Sequence, residues 1–388
     1  MTDELNINLK TIFKNNKKYY LEKILDKYPD TSPFLKKHKP VIIYGAGNMG
    51  KKIAKNLKQN GIEVLNFIDN NPELQKIKIK GIKVISLNEA ISKYHSSPIL
   101  IASLLYETEI YTLLKKSKFK KIYPLIYLNY IDPKIFISPE YHNTFNSLFK
   151  IKNQQNILKV FSLLEDEKSK QVFQDLLKFR LFMSKTYIKR AMSTKCLFFE
   201  KDILPLNKNE ILADCGAFDG DSIESFIKAT SDNYEKIYSF EPDSKNFKNL
   251  KLKIVKNKWK NITPIKKGVF NITGTIRFTG DALDGRIAVK ESVTENKSTI
   301  EVIKIDDYFK DKLPPTLIKM DIEGAESEAL MGGKNIIKKY KPKLAISSYH
   351  LATDPWKIPL LILKLNKDYK LYIRHYSNEL PDTICYAI

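Results

Sequence analysis

The sequence predicts an α/β protein: a C-terminal doubly wound, Rossmann-like sheet with an antiparallel edge strand, preceded by a helical bridge and a smaller N-terminal Rossmann-like domain. Three observations carry this expectation. Two apolar runs, Val41-Ile42-Ile43-Tyr44 and Ile211-Leu212-Ala213, each lead into a glycine-rich turn and then a helix-forming stretch. Each is followed by a second apolar run that ends on an acid, Asp69 after Phe67-Ile68 and Glu241 after Ser239-Phe240, the strand–helix–strand spacing of a nucleotide-binding sheet. The last two runs, Tyr369 to Arg374 and Thr383 to Ile388, read as an antiparallel pair joined by a Pro-containing loop.

In order along the chain, residues 1–38 form a Lys-rich, weakly helical appendage. Residues 39–130 form the first α/β domain. There Gly45-Ala46-Gly47-Asn48-Met49-Gly50 matches G-x-G-x-x-G between a strand and a helix, with Asp69 at the ribose position. Gly45, Gly47, Gly50 and Asp69 are therefore candidates for a second site, taking NAD, a nucleotide or a nucleotide-sugar, or no ligand at all if the unit is a scaffold or oligomerisation module. Later strands fall near Lys83-Val84-Ile85 and Ile99-Leu100-Ile101. Residues 131–195 carry apolar spacings of three and four, over Leu158 to Leu164 and Val172 to Phe182, and read as a helical linker covering one edge of the next sheet.

Residues 196–388 form the main domain. Its strands are expected at Ile211 to Ala213, Lys236 to Phe240, Ile262 to Ile265, Leu317 to Met320 and Lys343 to Ser347, with a hairpin pairing Thr275 to Phe278 against Ile300 to Ile303. The first turn reads D-x-G-x-x-x-G. It lacks the bare amides a pyrophosphate needs, and Asp214, Asp219 and Asp221 would repel phosphate but suit an ammonium or sulfonium, which points to S-adenosylmethionine. Gly216 and Gly220 let the backbone approach a ligand, and Glu241 takes ribose hydroxyls. Asp281 and Ala282 fall where an adenine ring would be held. The alternative for this turn is a structural strand–turn–helix with solvated acids.

Ligands bind beyond the carboxyl ends of such strands, where Lys319-Met320-Asp321-Ile322-Glu323-Gly324-Ala325-Glu326 stands. Asp321 and Glu323 could meet the methionine end of the cofactor, orient an acceptor hydroxyl, or hold a divalent metal through oxygen. Glu326 reads as a first-turn helix acid. His350, at the next strand end, could accept a hydroxyl proton as a neutral imidazole or be structural. Lys319 could carry an anionic substrate group or pair with a carboxylate. Phe198 and Phe199 either reach the cofactor mouth or join the core.

Composition narrows the partners. The chain has 388 residues, 43% hydrophobic, and a net charge of +22. The charge is nearly all Lys; Arg occurs only at 180, 190, 277, 286 and 374. Readers of nucleic acid draw on Arg for bidentate contacts, so no nucleic-acid partner is expected, and abundant Lys, Asn and Ile fit an A·T-biased genome. The surface suits a phosphate-bearing acceptor and is compatible with peripheral membrane association. Cys196, Cys215 and Cys385 form no C-x-x-C pair, giving neither a disulfide framework nor a zinc site. The N-terminal stretch lacks the apolar core of a signal peptide, and no apolar run reaches the ~20 residues of a bilayer span, so a cytoplasmic location is expected.

Taken together, DCGAFDGD, FEPD, GVFN, IKMDIEGAE, LAISSYH and LYIRHYSNELPDTICYA resemble, in order, the FkbM family of S-adenosylmethionine-dependent methyltransferases. The resemblance covers about residues 196–388, and LEDEKSKQVFQDLLKFRL extends it more weakly upstream. It implies a methyltransferase sheet and O-methylation, often of sugars in bacterial surface glycans or of natural products. Asp214, Gly216, Asp219 and Gly220 would then form the cofactor loop, Glu241 would bind ribose, and Asp321, Glu323 and His350 would line the acceptor side. Two rivals stand beside it: a nucleotide-sugar or NAD enzyme with its chemistry in the N-terminal domain, and a non-catalytic assembly subunit. A nucleic-acid methyltransferase is disfavoured, since no N-P-P-Y or D-P-P-Y tetrapeptide occurs.

Overall fold

The computed structural model describes residues 9–27, 40–103, 106–124, 147–182, 184–279, 286–287, 297–378 and 381–388. The chain divides into two units, Met1–Lys150 with Lys178–Ser184, and Ile151–Leu177 with Lys185–Ile388.

The first unit begins with α1 (Leu9–Lys14) and α2 (Lys17–Lys27), followed by β1 (Val41–Tyr44), α3 (Asn48–Gln59), β2 (Val64–Ile68), α4 (Pro72–Gln75), β3 (Lys78–Ile79), β4 (Ile82–Ile85), α5 (Leu87–Tyr94), β5 (Ile99–Ile101), α6 (Glu107–Lys116) and β6 (Ile122–Pro124). The sheet order is β3-β4-β2-β1-β5-β6, parallel except for the β3–β4 hairpin. All four residues of β1 are buried, as a strand covered on both faces requires. In α3, Gly50, Ile53, Ala54 and Leu57 form the buried stripe at helical spacing. Where a doubly wound unit places a full crossover helix after its second strand, this chain has only the four residues of α4, capped by Asn71 and started by Pro72. The β3–β4 turn follows at once, with Lys80 (φ 48°) and Gly81 (φ 85°) both left-handed, the geometry of a tight hairpin.

In the second unit, α7 (Ile151–Leu163), α8 (Glu167–Phe182, its last turn counted with the first unit) and α9 (Lys185–Ala191) precede β7 (Ile211–Cys215), α10 (Asp221–Thr230), β8 (Lys236–Phe240), α11 (Ser244–Lys256) and β9 (Ile262–Ile265). A small sheet of order β10-β13-β11-β12 follows, from β10 (Gly268–Val269), β11 (Gly274–Thr279), β12 (Arg286–Ile287) and β13 (Lys297–Ile303). After α12 (Ile305–Tyr308) come β14 (Leu317–Met320), α13 (Glu326–Gly332), α14 (Lys334–Tyr340), β15 (Lys343–Ser347), α15 (Asp354–Leu365), β16 (Leu371–His375) and β17 (Thr383–Ala387).

The main sheet runs β16-β17-β15-β14-β7-β8-β9. The antiparallel strand, β17, lies one place in from the edge, because the closing hairpin inserts its returning strand beside β15. β16 takes the edge. Leu164 and Met192, from the helical segment, bridge to Leu371 and His375 of that edge strand. The buried Arg374 ties the same segment down, with Nη2 2.7 Å from Asp166 Oδ2, Nη1 donating to Ser169 Oγ at 2.8 Å and Nε to Glu200 Oε1 at 3.2 Å. Phe199, Leu212, Phe226, Ile237, Leu317 and Ile384 lie in the core, as does Phe198, so neither ring of that pair is left at a mouth. Strand order reverses between β7 and β14, and ligand crevices open at such a point.

Candidate functional site

β7 and β14 run parallel with Asp214 opposite Lys319 and Cys215 opposite Met320. Paired residues share a face, so the carboxylate and the ammonium meet inside the sheet. Asp214 is fully buried, its Oδ1 3.0 Å from Lys319 Nζ and its Oδ2 accepting from Ser222 Oγ at 2.7 Å. Lys319 also donates to Gly216 O at 2.7 Å and lies 5.0 Å from the Phe198 ring centre. Burial alone would lower the Lys319 pKa, but Asp214 and then Asp321 override it and hold it above the usual lysine value. Asp214 is thus neutralised within the sheet rather than exposed on the rim, and Lys319 staples the loop instead of waiting for an anionic substrate.

The rest of the loop departs from the sequence reading in the same way. A Cβ on Gly216 (φ 81°) would stand 1.9 Å from the backbone oxygen of Asp321. On Gly220 (φ 92°) it would press on Leu250 at 3.1 Å. Both glycines are required by the chain's own packing, before any ligand is considered. Asp219 lies 3.6 Å from Lys253 Nζ, and Asp221 is exposed at the start of α10. The three acids therefore do not converge on one point.

Glu241 stands where expected, at the end of β8. Its Oε2 accepts from Phe218 N at 2.9 Å and its Oε1 from Asp243 N at 2.8 Å. Burial raises its pKa to about 7 against the opposing pull of those two amides. The first unit repeats the device: Asp69 accepts from Ala46 N at 2.8 Å and Asn71 N at 2.9 Å. In both units the acid at the second strand's end clamps the glycine turn after the first. In the first unit a Cβ on Gly50 would stand 1.9 Å from Gly45 O, whereas one on Gly47 would meet nothing within 4 Å. Gly45 (φ 109°) donates its amide to Ile68 O at 2.8 Å. Asp281 and Ala282 lie outside the described residues.

Across the switch point, Asp321 leaves β14 into a turn where Glu323 (φ 54°) and Gly324 (φ 97°) are both left-handed. A glutamate at positive φ is strained. The turn brings Glu323 Oε2 within 3.6 Å of His350 Nε2, which is 3.4 Å from Asp321 Oδ1. His350 Nδ1 is 2.9 Å from Oε1 of the buried Glu326, and that oxygen also accepts from Ile322 N at 2.9 Å. Tyr349 donates its hydroxyl to Asp321 Oδ1 at 3.0 Å. Asp321, Glu323 and His350 do come together. Glu326, read as a helix acid, is both that and the partner of the histidine ring.

Burial opposes charge on His350, but Glu326, Asp321 and Glu323 outweigh it and push its pKa up to about 10. The ring is an imidazolium at neutral pH, which corrects the expectation of a neutral base. Two further acids face the cluster. Asp354, on α15, is raised to about 7 by burial and by Glu326. Asp382 is raised by burial and by Asp321. Neither was singled out from the sequence, nor was Tyr349, although it directly precedes the histidine. Ligand-type atoms of Asp321, Glu326 and His350 lie within 4.8 Å of one another, so Glu326 rather than Glu323 completes the trio that could meet a divalent ion. In the arrangement observed, the imidazolium supplies the positive charge at that point. No helix among the described residues is long and apolar enough to cross a membrane.

Residues 214–379 match the family model described as the methyltransferase FkbM domain, and residues 37–122 match one described as C2185-like, N-terminal. A crystal structure of methyltransferase FkbM from Methylobacillus flagellatus KT aligns with a TM-score of 0.75 at 22% identity, over 96% of this chain and 98% of that one. That likeness establishes the fold, and it runs through both units. An rRNA methylase from Streptococcus thermophilus (TM-score 0.32, 12% identity, 47% of this chain and 87% of that) and a precorrin-6y C5,15-methyltransferase from Geobacter metallireducens GS-15 (0.32, 14%, 51% and 92%) are much more distant. No curated protein matches the chain. The resemblance read from the motifs therefore stands: the C-terminal half carries a methyltransferase domain of the FkbM kind.

Proposed function

We propose that this methyltransferase domain transfers a methyl group from S-adenosylmethionine to a hydroxyl of a sugar or glycan precursor. The observation that carries the reading is the cluster of Asp321, Glu323, Tyr349 and His350 at the carboxyl ends of β14 and β15. It adjoins the clamped β7–α10 turn through the close approach of Gly216 to Asp321. The donor set fits the cofactor at Glu241, whose oxygens each use one lone pair on a backbone amide and keep another for a ribose hydroxyl. S-adenosylmethionine, when bound, supplies an electrophilic methyl on a positively charged sulfur.

The chain's own residues then have three tasks. Glu241 and the turn at Gly216 to Gly220 hold and orient the donor. Asp321, the cluster's partly exposed carboxylate, would accept the proton of the acceptor hydroxyl as the methyl carbon passes to that oxygen and its bond to sulfur breaks, leaving a neutral thioether. His350, held protonated between Glu326 and Asp321, and the Tyr349 hydroxyl both meet Oδ1 of that carboxylate and hold it in place. The protein's main contribution is alignment.

The test is calorimetric titration of S-adenosylmethionine into the full chain and its Glu241→Gln and Asp321→Asn variants. It is joined to mass spectrometry of glycans and sugar nucleotides from cells with and without the protein. The reading expects binding that Glu241→Gln weakens and Asp321→Asn preserves, and a cellular product lighter by one CH₂ when the protein is missing. Absence of donor binding by the wild type would overturn it.

A further inference from the structure

In the first unit, a hollow of ≈ 630 Å³ opens along α3 toward the start of β2 and the β3–β4 hairpin. Its floor is apolar, formed by Ala54, Ile62, Ile79 and Ile82, with Phe67 fully buried behind them. The reason lies in the fold: α4 is a single turn, so the sheet beside α3 is flanked by a hairpin where a crossover helix would otherwise pack. Four lysines rim the hollow. Lys51, Lys55 and Lys58 follow the i, i+4, i+7 row of α3, and Lys80 sits at the left-handed tip of the hairpin. All four are exposed, and none forms an ion pair with a described residue, Glu63 being the one carboxylate in the lining. None of Gly45, Gly47 or Asp69 lines this hollow, so it is separate from the strand-end crevice.

We propose that the hollow binds a single-chain lipid with an anionic headgroup, the chain lying on the aliphatic floor and the headgroup among the lysines. The lining discriminates against a nucleoside phosphate: its one aromatic ring, Phe67, is fully buried and offers no stacking face. Lysine stems cover apolar surface while their ammonium groups stay in water, which suits an amphiphile lying along the rim. The site is independent of methyl transfer.

The experiment titrates dodecyl phosphate, below its micelle concentration, into the full chain. Dodecanol and inorganic phosphate serve as comparison probes, and S-adenosylmethionine binding is measured in parallel. Saturable binding of dodecyl phosphate is expected, with inorganic phosphate silent and dodecanol weaker by about tenfold or more. Lys55→Glu with Lys58→Glu, both at exposed positions, should weaken it by a similar factor, and Ala54→Trp, which fills the floor, should abolish it. Donor binding should be unchanged in both. Thermal unfolding checks that Ala54→Trp folds; if it does not, the charge-reversal pair decides between the outcomes. Equal binding of dodecanol, binding that survives both variants, or no saturable binding at all would overturn the proposal.

Discussion

Asp214→Ala is the variant that most sharply separates a sheet-internal ion pair from a donor contact. Asp214 is 0% exposed and Lys319 2%, so the substitution leaves a buried ammonium without its ion-pair partner, held by Gly216 O, the face of Phe198 and the more distant charge of Asp321, and deprives Ser222 of its acceptor. Removing one partner of a buried pair is destabilising by about 3–5 kcal/mol, whereas replacing both by apolar groups of similar volume is often close to neutral. For a domain of this size that corresponds to a fall in melting temperature of about 6 to 20 °C. Asp214→Leu combined with Lys319→Met should recover most of the loss. The assay is urea unfolding followed through the transition of the second unit, with the double-mutant cycle supplying the coupling between the two sites. Unfolding of Asp214→Ala at the wild-type urea concentration, together with a collapse of its affinity for S-adenosylmethionine, would refute this. Asp214 would then act on the ligand, and the ion pair would be incidental.

Donor affinity of the wild type should rise from about pH 6 to about pH 8, since Glu241, with a pKa of about 7, accepts ribose hydroxyls best when ionised; calorimetry at the two pH values checks it, and in Glu241→Gln the dependence should vanish. His350→Gln should lower kcat by about 10²-fold in steady-state kinetics, because Asp321 loses the cation that holds its Oδ1 in place. The folded-state pKa of His350, raised from 6.5 to about 10, contributes stability that is full below about 6.5 and lost as pH rises through about 10. Chemical denaturation across that window should therefore show the second unit weakening toward alkaline pH, and His350→Gln should flatten the decline. Gly50→Ala drives a methyl into Gly45 O and should destabilise the first unit by about 1–3 kcal/mol or more. Gly47→Ala, facing open space, should leave the melting temperature within about 2 °C, as a change of about 0.5 kcal/mol or less would.

Much of the main sheet was legible in the chain. Lys236–Phe240, Ile262–Ile265, Leu317–Met320 and Lys343–Ser347 form strands at the bounds their apolar runs suggested, and Val41–Tyr44 does the same in the first unit. Strands of a parallel sheet covered on both faces are written as unbroken apolar runs, and each stops at the polar residue that leaves the core. The antiparallel pairing of β11 with β13 was expected over Thr275 to Phe278 and Ile300 to Ile303, and α10 after the glycine turn before Asp221. The short strands β3 and β6 were not legible, because Lys78-Ile79 and Ile122-Tyr123-Pro124 hold no unbroken aliphatic run like the Ile99-Leu100-Ile101 of β5.

The candidate site divides along the same line. Local order announced which acids stand at strand ends, and Asp321, Glu323 and His350 proved to be neighbours because β14 and β15 are adjacent and parallel. What no local pattern contained was the state of each group. Asp214 is silenced by Lys319 because register places them opposite each other. His350 is charged because Glu326 folds back beneath it. Gly216 is a glycine because Asp321 O occupies the space a Cβ would need. Sequence alone determined the strands, their order of chemistry and the family resemblance, since those follow from patterns within a few residues. Protonation, exposure and partnership depend on the dielectric and the distances that packing creates between segments far apart in the chain, and only the tertiary structure decided them.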